Sequence, residues 1–91
     1  MSSEQRSAFL LIVDPYFLDD LKYWAEADSK VALRVLTLVE HISRDPFQGI
    51  GKPELLKGLG VWSRRITQEH RITYRVDGRK IHLLQCRYHY S

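Results

Sequence analysis

Apolar positions divide the chain into a helical first half and a strand-rich second half. Ala8–Val13 is a short aliphatic run that predicts a first strand, buried on both faces. Asp14-Pro15 follows as a helix start: a carboxylate caps free backbone amides, and proline fits the first helical turn. This helix is expected to reach about Ala27, with Phe17, Leu18, Leu21, Trp24 and Ala25 forming one stripe. Asp28 or Ser29 caps a second helix. Its stripe of Val31, Val35, Leu38 and Ile42, flanked by Ala32 and Val39, keeps helical spacing over three turns. Pro46 ends it, because the residue before a proline avoids helical dihedrals.

Residues 46–60 contain all but one of the chain's glycines and two of its three prolines. They predict a long ordered loop with a short strand at Leu55–Lys57. From Val61 the pattern has period two. Val61–Thr67, His70–Val76 and Arg79–Tyr90 predict three antiparallel strands, with Asp77-Gly78 as a two-residue hairpin turn. That turn sets Tyr74 opposite Ile81 and Ile72 opposite Leu83, so the apolar parities coincide. A three-residue connection at Gln68–His70 pairs Ile66 with Ile72 and places Arg65 and Arg71 diagonally adjacent on the other face. The expected fold class is α+β: strand, two helices, then three or four strands. Both helices pack on one face of an antiparallel sheet, and an arginine-bearing face turns to water.

The chain has 91 residues, 44% of them apolar and 27% charged, as expected of one domain spanning residues 1–91 with residues 1–8 as a flexible extension. These values argue against a disordered, fibrous or membrane protein. The run Ala8–Val13 is far short of the roughly 20 residues of a membrane-spanning helix, and nothing resembles a targeting signal. The single cysteine, Cys86, excludes an internal disulfide and a cysteine-based zinc site, and a reduced, cytoplasmic protein is expected. The net charge of +3 is unevenly divided: residues 1–50 carry −3 and residues 51–91 carry +6. Arg64, Arg65, Arg71, Arg75, Arg79 and Arg87 dominate the basic half, and guanidinium groups suit phosphate. Charge alone serves a solvated sheet face equally well.

The four histidines are scattered, with no ligand spacing for a metal. Cys86 and Ser63 read as packing residues in strands, and no glycine-rich phosphate loop is present. Metal-free phosphoryl chemistry on RNA remains. It needs a base for the ribose 2′-hydroxyl, an acid for the leaving 5′-oxygen and cations for the phosphorus oxygens. Glu54, Arg65, Arg71 and His89 offer those groups. Each also has a plainer reading: Glu54 as a solvated loop carboxylate, His89 as a bystander near a chain end. Arg64 has core parity and is expected to pair structurally. The tail Arg87-Tyr88-His89-Tyr90 mixes guanidinium and phenol in a way that suits RNA, or simply forms the rim of a sheet. Trp24 and Trp62 are expected in the core.

Four segments stand in order: Gly51-Lys52-Pro53-Glu54, Trp62-Ser63-Arg64-Arg65-Ile66, Glu69-His70-Arg71 and Arg87-Tyr88-His89-Tyr90. With Asp19-Asp20-Leu21-Lys22-Tyr23-Trp24 and Arg44-Asp45-Pro46-Phe47 upstream, the chain from residue 9 to 90 resembles the YoeB (Txe/YoeB) family of bacterial toxins, within the RelE-like superfamily. The resemblance implies a ribosome-dependent messenger-RNA endonuclease that acts in the ribosomal A site and is silenced by a YefM-type antitoxin. It implies cleavage without metal or cofactor, leaving a 2′,3′-cyclic phosphate and a 5′-hydroxyl. By this resemblance Glu54 is the general base, His89 the general acid, and Arg65 and Arg71 the phosphate-binding arginines. Tyr90 shapes the site and stacks on substrate, Lys57 lies near the RNA, and a homodimer is plausible.

Several features depart from the family. Ser91 follows the usual terminal tyrosine, residues 1–8 precede the first strand, and the connection at Gly58–Val61 is shorter. Strand parity places Tyr88 and Tyr90 with Arg71 but His89 on the opposite face, so a bulge or turn must rotate His89 towards Glu54. The rival functions are a non-catalytic RNA-binding module, a RelE-fold toxin with another target such as DNA gyrase, and a structural interaction partner.

Overall fold

A computed structural model describes residues 9–56 and 60–88. The elements run β1 (Leu10–Val13), α1 (Pro15–Ala27), α2 (Ser29–Arg44), β2 (Glu54–Leu56), β3 (Val61–Arg65), β4 (Arg71–Asp77) and β5 (Lys80–Gln85). The five strands form one sheet in the order β1-β5-β4-β3-β2. Both helix starts follow from local chemistry. Asp14 accepts from the Tyr16 amide and Asp28 from the Lys30 amide, each satisfying a donor that has no intrahelical partner.

The core lies between the helices and one sheet face. Phe17 and Trp24 of α1 and Val35, Leu38 and Ile42 of α2 meet Ile72 and Tyr74 of β4 and Ile81 and Leu83 of β5. Leu18 and Ala25, expected on the α1 stripe, are exposed, which leaves a narrower buried edge. No described helix is long and apolar enough to cross a membrane.

Several expectations are corrected. The sheet is mixed, because β1 pairs parallel with β5. These strands are not joined by a tight turn, so no local signal fixes their relative direction. β1 is also an edge strand with a neighbour on one side only, and its four aliphatic residues are exposed rather than buried on both faces. The β4–β5 turn is at Gly78-Arg79, with Gly78 at φ +60°, and pairs Tyr74 with Leu83 and Val76 with Ile81. This register differs by two residues from the expected one, and a shift of two leaves every side chain on its original face. The fifth strand ends at Gln85, well before Tyr90, after an irregularity that sets Thr73 opposite Gln85 but Tyr74 opposite Leu83. Across β3–β4, Arg65 lies directly opposite Arg71 rather than diagonal to it.

Arg64 organises the loop between α2 and β2. It is fully buried and points into the core side of β3. Its Nε donates to the Tyr74 hydroxyl at 3.1 Å, and its terminal nitrogens donate to the carbonyls of Ile50, Asp45 and Gln48. The Tyr74 hydroxyl in turn donates to the Pro46 carbonyl at 2.6 Å. Burial raises the Tyr74 pKa, opposed by the Arg64 charge, so the phenol remains a donor. Gly51 closes the loop at φ +83°. A β-carbon there would stand 2.9 Å from Leu38 Cδ2 and 3.2 Å from the Arg65 carbonyl oxygen.

Candidate active site

The face of the sheet away from the helices carries the candidate residues. The register places Glu54 of β2 beside Ser63 of β3, Ser63 beside Thr73 of β4, and Arg65 opposite Arg71. All five residues share one side of the pleat. The face is less open than the sequence suggests. Ser63 and Thr73 are buried, while Arg65 and Arg75 are exposed. Small residues thus form a floor from which the arginines project.

Arg71 is the centre of this arrangement. Its side chain is 13% exposed, its Nε donates to Ser63 Oγ at 2.9 Å, and its Nη2 lies 3.5 Å from Glu54 Oε1. The same Nη2 approaches the Lys52 carbonyl oxygen at 3.5 Å. Glu54 is 68% exposed, so the pair meets at the edge of solvent and contributes little to stability, about 0–1 kcal/mol. It does fix two chemically useful groups against one another. Arg65 is anchored through its backbone, its amide donating to the Gly51 carbonyl at 2.6 Å, and its guanidinium has no partner among the described residues. One fixed guanidinium, one free guanidinium and a reachable carboxylate can receive a phosphate and take a proton from a neighbouring hydroxyl.

The segment after β5 reaches the same place. After β5, the Arg71 amide donates to the Tyr88 carbonyl at 3.1 Å, and the Tyr88 amide donates to His70 Nδ1 at 2.7 Å. Tyr88 has φ +66°, so the chain turns here instead of continuing as a strand. Arg87 points elsewhere: its guanidinium lies 3.5 Å from the centroid of Tyr23 on α1 and 4.7 Å from that of Tyr88. Lys57, His89 and Tyr90 lie outside the described residues.

Ser63 is expected to be a structural serine. It is one, with the added effect of aiming Arg71. Its shared parity with Arg71 was the available signal. Cys86 is buried, and burial pushes its thiol up to about 12, which suits packing rather than nucleophilic chemistry. Trp24 is buried as expected, and Trp62 is half-buried against Phe47. Among the described residues, no group of three or more His, Cys, Asp or Glu side chains could hold a metal ion.

Comparison with known proteins places this chain in a family. The sequence pattern of the YoeB-like toxin of bacterial type II toxin–antitoxin systems matches residues 13–90. The Toxin YoeB of Mycobacterium bovis is 49% identical over 79 residues, covering 85% of this chain and 93% of the relative. The YoeB/ParE toxin from Agrobacterium tumefaciens superposes with a TM-score of 0.83 at 42% identity, covering 88% of this chain and 98% of that one. Two Staphylococcus aureus structures are also similar. A YoeB dimer has a TM-score of 0.81 at 38% identity, covering 92% and 100% of the two chains. A heterotetrameric YoeB–YefM toxin–antitoxin complex has a TM-score of 0.78 at 39% identity, covering 90% and 98%. With a matching pattern over most of its length and relatives this similar, the chain belongs to the YoeB-like toxins of bacterial type II toxin–antitoxin systems.

Proposed function

We propose that this toxin is a ribosome-dependent endoribonuclease that cuts messenger RNA in the ribosomal A site. The observation that carries the reading is the Glu54–Arg71 pair, with Arg65 directly across from Arg71 and the Tyr88 carbonyl bonded to the Arg71 amide. Glu54 takes the proton from the ribose 2′-hydroxyl. The 2′-oxygen attacks phosphorus, and Arg65 and Arg71 neutralise the charge that builds on the phosphoryl oxygens. The bond to the 5′-oxygen breaks, and His89 supplies the proton that this oxygen needs. Tyr90 shapes the site and stacks on substrate. Lys57 and Tyr88 bind the flanking RNA, whereas Arg87, stacked over Tyr23, fastens the segment after β5. The products are a 2′,3′-cyclic phosphate and a 5′-hydroxyl, with the proton taken by Glu54 balanced by the one given by His89.

The ribosome has a physical role in this scheme. Acid–base groups supply about 10²–10⁴-fold each, and further acceleration must come from holding the RNA in line for attack. A shallow sheet face on a small domain holds flexible RNA poorly. A message already fixed in the decoding site removes that difficulty.

A YefM-like antitoxin is the expected inhibitor, in keeping with the Staphylococcus aureus complex. An acidic segment that folds on binding suits the basic face. Homodimerisation is supported by the dimer of the Staphylococcus aureus relative. The test is incubation of purified toxin with programmed ribosomes, followed by mapping of the cut and its ends. A cut within the A-site codon carrying a cyclic phosphate is expected. Intact message would leave the RNA-binding alternative, and DNA damage without message cleavage would favour a gyrase-directed toxin.

A further inference from the structure

The segment after β5 is fastened residue by residue. The Cys86 amide donates to Asp20 Oδ2 at 3.0 Å, and the Cys86 carbonyl accepts from Trp24 Nε1 at 2.8 Å. The Arg87 guanidinium is stacked over Tyr23. Tyr88 is then held at both ends of its backbone, its amide by His70 Nδ1 and its carbonyl by the Arg71 amide. A non-glycine residue in the left-handed region is strained and persists only where its surroundings hold it there. Tyr88 is such a residue.

His70 is itself immobilised. Its ring stands edge-on to Trp24 with centroids 4.7 Å apart, and its amide donates to Thr67 Oγ1 at 3.1 Å. Because Nδ1 accepts the Tyr88 amide proton, that nitrogen carries the lone pair and the ring proton sits on Nε2. Packing against Trp24 needs only a flat ring. The bond to Tyr88 needs an acceptor, and that requirement distinguishes histidine from phenylalanine at this position.

We propose that His70 is a positioning residue that latches Tyr88, and with it the segment after β5, against Arg71 by accepting the Tyr88 amide. The proposal rests on the nuclease reading above, in which the residue after Tyr88 protonates the leaving oxygen. His70 acts through Tyr88 and does not touch the reacting atoms. The dipeptide His70-Arg71 thereby joins the two halves of the site: the Arg71 side chain holds Glu54, while its backbone and the His70 ring hold Tyr88. An unlatched chain end samples many orientations, few of them productive.

Two variants of the full chain separate the acceptor from the ring. His70→Phe keeps a ring against Trp24 and removes the acceptor. His70→Asn removes the ring and places a carbonyl oxygen close to the Nδ1 position. Hydrogen exchange at the Tyr88 amide is read by NMR, and single-turnover cleavage is read on programmed ribosomes. His70→Phe is expected to lose Tyr88 protection and to cleave roughly 10–100-fold more slowly, while His70→Asn stays within about threefold of the parent in both. Parental protection or parental rate in His70→Phe overturns the proposal, as does a His70→Asn protein as slow as His70→Phe. A parent that leaves message intact ends the nuclease reading and the positioning role with it, and the Tyr88 amide then still reports whether the latch exists.

Discussion

Arg64 and Arg65 are chain neighbours with opposite fates. Arg64 is fully buried and donates to a phenol and three carbonyls, with no carboxylate paired to it among the described residues. Arg65 projects from the other face and its guanidinium has no partner among the described residues. Strand alternation alone sends the two side chains to different faces. On the helix side, a guanidinium becomes the frame of a loop. On the open side, an identical group stays available to a ligand. Residue type therefore says little about role here, and parity says most.

This contrast can be broken from the structural side first. Arg64→Met leaves the Tyr74 hydroxyl and the carbonyls of Asp45, Gln48 and Ile50 without their donor, and is expected to lower stability by about 3–5 kcal/mol in urea unfolding. Gly51→Ala forces a β-carbon against Leu38 and the Arg65 carbonyl at a positive φ, with an expected loss of about 2–3 kcal/mol by the same measurement. Tyr74→Phe strips the hydroxyl that relays Arg64 to Pro46, with an expected loss of about 1–2 kcal/mol. Arg65→Ala should change stability by less than about 0.5 kcal/mol, as an exposed position remote from packing would. Under the proposed chemistry the same change slows message cleavage by roughly 10²–10³-fold. A large stability loss in Arg65→Ala, or a negligible one in Arg64→Met, would erase the distinction between the two faces.

Much of this contrast was legible in the sequence. Asp14-Pro15 and Pro46 bracket the helical half because caps and prolines act locally. The parities of Ile72, Tyr74 and Arg64 against Arg65 and Arg71 were also readable, since alternation needs only the strand and survives a register shift of two. What the sequence hid was non-local. The aliphatic run of β1 reads alike for a central and an edge strand, and its parallel partner lies seventy residues away. The end of β5 at Gln85 was obscured because the apolar and aromatic alternation runs on to Tyr90, while His70 and Arg71 take hold of Tyr88 as the chain turns. The candidate site was legible as residue types. The aiming of Arg71 by Ser63 and the grip of His70 on the tail required coordinates.

The central proposal is that the open face performs chemistry through Glu54, and one variant tests it most directly. Glu54 is exposed and contributes only a surface ion pair, so Glu54→Gln should unfold within about 0.5 kcal/mol of the parent. Single-turnover cleavage on programmed ribosomes, measured on protein of unchanged melting temperature, is expected to fall by at least about a hundredfold. A Glu54→Gln protein that cuts message at the parental rate would contradict the assignment of the base.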